Sequence, residues 1–197
     1  MSDLVVRSYV GGAAMREARD ALAALRVSVF RDFPYLYEGS LSYELEYLEV
    51  YFRSQGAFSA VVWQGEEAVG ATTMLPLTDA EAEAQEPFLE AGYERAELAY
   101  FGESVLLRAF RGRGLGVKFF ELREAHARSL GLKLATFCAV DRPTDHPARP
   151  ADYVPNDSFW QHRGYRKVPE LQASFSWPDV GETESTSKSM TFWLREL

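Results

Sequence analysis

Cysteine and histidine are scarce: Cys138 is the sole thiol, and His126, His146 and His162 are the only imidazoles. No ligand cluster with zinc spacing can be written from so few, so no metal is expected. Also lacking is any run of about 18 uncharged apolar residues, the length that a membrane-crossing helix needs. The start, MSDLVVRSYV, carries Asp3 and no long apolar segment, so the expectation is a cytoplasmic protein with no membrane partner. Bases are in deficit: 21 lysines and arginines face 29 aspartates and glutamates, for a net charge of -8 and a pI near 5.0. That balance leaves no broad footprint for nucleic acid, which is not an expected partner. Any anion must be held locally.

What is present suits a folded core. The 197 residues are 47% hydrophobic and 25% charged, the profile of a single globular domain spanning 1–197. LVVRSYV reads as a strand, and Met15, Ala18, Leu22, Leu25 and Val29 then mark one face of a helix ended near Pro34. Leu41, Leu45, Leu48 and Phe52 predict a second helix, capped by Ser40 or Ser42. FSAVVW and AVGATTML form a hairpin across Gln64 to Glu67, with Gly65 in the turn. Residues 79–97, DAEAEAQEPFLEAGYERAE, hold seven acids against the one base Arg95. They read as a solvated helical insertion, or else as an acidic rim that attracts a cation.

AYFGESVLL is the next strand, and Leu115 to Leu130 the longest helix, with Phe119, Leu122 and Ala125 or His126 on one face and Glu124 and Arg128 paired on another. KLATFCAVD, the short helix NDSFWQHR, and the strands LQASFSW and SMTFWLREL complete the chain. SMTFWLREL could be an edge strand open to pairing, and so to a homodimer. The order, about β-α-α-β-β-β-α-β-α-β-β, predicts an α+β fold with a mixed central sheet of about seven strands and about four helices.

Between AYFGESVLL and the long helix stands RGRGLG, Arg111 to Gly116. Glycines at every second position weaken helix and strand alike, so the backbone there must curl or approach something bulky. A Gly-rich turn that opens a helix exposes unpaired N–H groups and the positive end of the helix dipole, which suits phosphate. A P-loop fails because Val117, Lys118 and Phe119 follow Gly116 where Lys and Ser or Thr are needed. The G-x-G-x-x-G dinucleotide spacing is not met either. R-x-x-G-x-G fits, with Arg111, Gly114 and Gly116 as its fixed members.

On that motif, on the element order and on NDSFWQHRGY, the chain resembles the GNAT superfamily of N-acetyltransferases along nearly its whole length. The acidic insertion at 79–97 is the main departure. The resemblance implies acetyl-coenzyme A as co-substrate, its pyrophosphate wrapped by Arg111, Gly112, Arg113, Gly114, Leu115 and Gly116, with Asn156 nearby. It also implies splayed strands that free backbone groups near Leu106 and Leu107 for the pantetheine arm. Glu103, an acid interrupting an apolar strand, is the expected catalytic base, its pKa raised by burial. Trp160 occupies the position where many relatives carry a proton-donating Tyr, leaving Tyr153, Tyr165, water or an unassisted thiolate. Cys138 reads as a buried strand cysteine with no base beside it. FPYLYEGS, between the first two helices, places Tyr35 and Tyr37 on the expected lip for a small amine-bearing acceptor. The expected reaction is direct transfer of an acetyl group to an amine. A silent acyl-coenzyme A sensor, or transfer of a longer acyl group, are the alternatives.

Overall fold

A computed structural model of the chain describes residues 3 to 197. Strand β1 (Leu4–Val10) leads through α1 (Gly12–Met15) and a short 3-10 turn into α2 (Arg19–Phe30). Met15, Ala18, Leu22 and Leu25 are buried along this stretch, as their spacing requires. The second expected helix divides at Leu48 into α3 (Leu41–Tyr47) and α4 (Glu49–Arg53), and the Ser40 hydroxyl caps it by accepting from the Tyr43 amide at 3.3 Å. β2 (Phe58–Gln64) and β3 (Glu67–Pro76) form the expected hairpin. Then come α5 (Ala82–Glu90), β4 (Leu98–Tyr100), β5 (Ser104–Leu106), α6 (Leu115–Ser129), β6 (Leu134–Val140), α7 (Asp157–His162), β7 (Arg166–Trp177) and β8 (Thr186–Glu196).

The strands lie in the order β1-β2-β3-β4-β6-β8-β7, with β5 also paired to β3. Every pairing is antiparallel except β4 with β6, which run parallel from Leu98–Leu134 to Tyr100–Thr136. The fold is therefore α+β around a mixed sheet, with eight strands instead of about seven because AYFGESVLL is two strands. Leu75 pairs with Tyr100 and Thr72 with Ser104, so three steps along β3 face four along its partner. The extra residue makes a β-bulge at Phe101–Glu103. Gly102 is obligatory there, because a Cβ would lie 1.7 Å from the Tyr51 hydroxyl.

The sheet is covered on both faces. Leu22, Tyr51, Phe88 and Phe192 belong to the core under α2, α4 and α5, while Phe101, Phe120, Phe137, Tyr165 and Trp193 belong to the core under α6 and α7. Three expectations change. β8 lies between β6 and β7, so SMTFWLREL is no edge and the structural ground for a homodimer through it is gone. The buried side of α6 is rotated from the predicted one: Arg123 and Glu124 are 2% and 4% exposed, since Glu124 turns inward to accept from Tyr165, Arg163 and Arg195. The acidic segment is solvated but anchored, because Phe88 of α5 packs on Phe192 at 4.8 Å, a burial worth about 1.5–3 kcal/mol. None of its acids reaches the cleft described next.

Candidate active site

β5 follows β3 while β4 stays with β6, so the strands part beyond Tyr100–Thr136. In the gap opens a cavity of about 650 Å³ lined from both faces of the sheet, by Val29 and Phe30 of α2 and by Phe119, Phe120 and Arg123 of α6. The Leu107 amide donates to the Val69 carbonyl at 2.9 Å, so it is not free for a ligand, which corrects the expectation for that residue. Antiparallel alternation then turns the amides of Ser104 and Leu106 the other way, toward the cavity that both residues line. The Leu106 carbonyl accepts from Arg111 Nε at 3.0 Å, which braces the end of β5 against the loop.

In that loop Gly112 and Gly114 have φ of 75° and 79°, values that a side chain rarely adopts. Their curl leaves the amides from Gly112 to Val117 without an acceptor among the described residues, at the positive end of the 15-residue helix α6. Arg111 and Gly116 line the cavity, as does Asn156 just before α7. Gly112, Arg113 and Gly114 are exposed at its rim, with Arg113 Nη2 on the Ala109 carbonyl at 3.1 Å. Leu115 packs inward against the apolar group around Val62 and Val69. A curl of open amides beside two arginines is what an anion needs.

Glu103 lies in the bulge at the cavity's inner end, 4% exposed. Arg26 of α2 donates Nη1 to Glu103 Oε2 at 2.7 Å and Nε to Glu44 of α3, so one guanidinium serves two buried carboxylates. Among the described residues Glu103 Oε1 has no hydrogen-bond partner. Burial pushes this carboxyl above its usual value of 4.5, and Arg26 only partly offsets the push. The Glu103 carbonyl is pinned by the Thr73 amide at 3.1 Å, the Thr72 hydroxyl at 2.7 Å and Arg123 Nη1 at 3.3 Å.

The phenols divide clearly. Tyr165 is 2% exposed and donates to Glu124 at 3.2 Å, away from the cavity, whereas Tyr153 lines it, edge-on to Phe33 at 4.7 Å. Trp160 is a wall, its ring 5.0 Å from Phe137 and 5.1 Å from Trp193. Cys138 also faces the cavity, half-buried, with its Sγ 3.5 Å from the Tyr100 hydroxyl. Burial raises that thiol to about 11, so little thiolate exists near neutral pH and a covalent cysteine route is disfavoured.

The two tyrosines expected on the acceptor lip separate. Tyr35 lines the cavity and stacks on Trp177 at 6.0 Å. Tyr37 does not: it is 8% exposed and paired with Asp179, its phenol held up by burial and by Glu44. Sequence reasoning missed what holds the lip. Arg142 donates Nε to the Pro34 carbonyl at 2.8 Å and Nη2 to the Tyr35 carbonyl at 2.7 Å, and pairs with Asp179 at 2.7 and 3.0 Å. Asp179 titrates below its usual 3.8: partial burial pushes it up, but Arg142 and Lys188 more than offset that. The clamp's stabilisation is therefore present above about 3.8 and lost as pH falls through the lowered value. Arg142→Ala is expected to lower stability by about 2 kcal/mol in urea denaturation and to raise KM for the acceptor more than for the donor.

Comparisons with known proteins bear on the family and the fold. The model of the Acetyltransferase (GNAT) family matches residues 22–151, from α2 through the loop before α7. No curated protein matches the sequence. Among solved structures, an acetyltransferase from Thermus thermophilus is 18% identical with a TM-score of 0.59, covering 100% of both chains. A GNAT-family acetyltransferase from Staphylococcus aureus is 12% identical with a TM-score of 0.60, covering 99% of each. The polyamine N-acetyltransferase of Drosophila melanogaster, which forms N-acetylagmatine, is 15% identical with a TM-score of 0.58, covering 99% of this chain and 100% of that one. At these identities the structures attest to the fold, and among the described residues no helix is long and apolar enough to cross a membrane. With the family's model matched over more than half its length, and with split strands meeting a curl of open amides, this chain belongs to the acetyltransferase (GNAT) family.

Proposed function

We propose that the protein transfers an acetyl group from acetyl-coenzyme A to the amine of a small acceptor by direct attack. One observation carries the reading: the amides from Gly112 to Val117 lack acceptors where β4 and β5 part toward Glu103. Acetyl-coenzyme A supplies an acyl carbon activated as a thioester. Arg111, Arg113 and the loop amides hold its diphosphate, Asn156 borders it, and Leu106 offers its backbone to the arm. The acceptor enters past Tyr35, and Glu103 takes the amine's proton. Because the Glu103 side chain has 0% exposure, a water relays that proton to Oε1. The new C–N bond forms as the C–S bond breaks. Of the two candidate phenols Tyr153 lines the cavity and Tyr165 does not, so the role of proton donor to the departing thiolate goes to Tyr153 in this proposal. The Drosophila enzyme's product, N-acetylagmatine, is an acetylated amine, which supports an amine acceptor here.

The test is thermal unfolding with acetyl-coenzyme A, followed by release of free coenzyme A across an amine panel. At a hundredfold excess over Kd the ligand contributes about 2.7 kcal/mol, so Tm should rise by roughly 5–10 °C. Gly114→Ala puts a side chain at φ 79°, a strain of roughly 1–2 kcal/mol, and should shrink the shift. No shift with the wild-type chain overturns the reading. The buried pairing of Glu103 favours one second reading, an acyl-coenzyme A sensor, which predicts the shift without turnover.

A further inference from the structure

Among the described residues Arg123 is a buried cation with no anion of its own. It lies on α6, 2% exposed, between the rings of Phe101 at 4.3 Å and Phe120 at 4.7 Å, and it lines the cavity. Its one hydrogen bond, from Nη1 to the Glu103 carbonyl, is long at 3.3 Å, and its fully buried Nε has no acceptor. Nearby carboxylates are taken: Glu44 and Glu103 by Arg26, and Glu124 by Arg163, Arg195 and Arg128. Burial drags the guanidinium down to about 10, which leaves it charged at neutral pH. A desolvated cation without a carboxylate is costly, and a planar guanidinium suits a bidentate carboxylate best.

We propose that Arg123 receives a carboxylate carried by the ligand, and that this carboxylate is the distal group of the acyl chain. The preferred donor is then a coenzyme A thioester of a dicarboxylic acid, such as a malonyl or succinyl thioester. This rests on the acyl-coenzyme A reading above. Position selects the donor over the acceptor: Arg123 follows Gly116 by seven residues on one helix, about 10 Å along its axis. It touches the backbone of Glu103 where the strands part, and Tyr35 reaches the cavity from the other side of the sheet. A donor threaded from the α6 opening brings its acyl end there. Bond changes are those of the acetyl reaction: C–N forms, C–S breaks, the amine proton goes to Glu103, and Tyr153 protonates the thiolate. The distal carboxylate stays ionised against Arg123.

Dissociation constants for malonyl-, succinyl-, butyryl- and acetyl-coenzyme A, measured on the wild-type chain by calorimetry, test this directly. At least one dicarboxylic thioester should bind tenfold or more tightly than the butyryl one, the margin a charge-assisted pair confers. Arg123→Met should abolish that preference and Arg123→Lys keep part of it. Should Arg123→Met fail to fold, the wild-type comparison alone decides. A second arm compares KM for α-amino acids with that for the corresponding decarboxylated amines. A preference there that Arg123→Met removes would overturn the acyl assignment and give the carboxylate to the acceptor. Equal binding in both arms overturns the proposal, leaving Arg123 as a pin on the Glu103 carbonyl. Failure of every thioester to bind would instead strike the acyl-coenzyme A reading.

Discussion

Glu103→Gln is expected to lower kcat/KM for the amine by roughly 10²–10⁴-fold, with little change in Kd for acetyl-coenzyme A. The amide preserves size and can still accept from Arg26, so the loss reads the proton-accepting role. Because burial holds the carboxyl above 4.5, the wild-type rate should climb with pH through that raised value, as Glu103 becomes ionised. The glutamine variant should lack that ascending limb. Stability moves oppositely. Between 4.5 and the raised value the folded chain holds a proton that the unfolded chain has released, so this group's contribution declines as pH rises through the window. Initial rates and denaturation, both across pH, check the two signs. Unchanged turnover in Glu103→Gln would remove it as the base.

Arg26→Met should be the most destabilising single change near the site. It strands Glu44 and Glu103, whose side chains both have 0% exposure, and breaking such a buried arrangement costs about 3–5 kcal/mol. For a chain of this length that is a Tm drop of roughly 6–20 °C. Without Arg26 the Glu103 carboxyl loses the charge that partly offsets its burial and favours its protonated form still more, so the deficit should widen as pH rises above 4.5. Adding Glu44→Gln removes one stranded charge and should recover part of the loss, with the non-additivity measuring the coupling. Calorimetry at acid and neutral pH reads both effects. A deficit independent of pH would mean that Arg26 acts by packing on Phe30 and Tyr47, not by charge.

Local signals carried most of the fold. Apolar spacing placed the helices, Gly65 the hairpin, and RGRGLG the open curl before α6, because each depends on neighbours in the chain. What escaped depends on residues far apart. Leu106 and Leu107 look alike in sequence, and only the pairing of β5 with β3 decides which amide faces the cleft. Tyr35 and Tyr37 part company because Tyr37 is drawn to Asp179, 142 positions away. A signal existed for Arg26, Glu44 and Arg123. Arg26 follows Leu22 by four and precedes Val29 by three, Glu44 follows Leu41 by three, and Arg123 follows Phe119 by four. Charges on an apolar helical stripe are uncommon, and here Arg123 lines the cleft while Arg26 and Glu44 stand behind Glu103. Arg142 carried no such mark, since it lies in a proline-dense loop.

The seam between β4 and β6 has a wider consequence. Among the described residues the strand pairing that joins β1–β5 to β6–β8 is three residue pairs long, Leu98–Leu134, Ala99–Ala135 and Tyr100–Thr136. The sheet is thus two plates that share one short edge, and whatever occupies the wedge between them would serve as mortar. Coenzyme A would then be a structural tenant as well as a reagent, and amide-exchange rates at those pairs would register its arrival before any product forms.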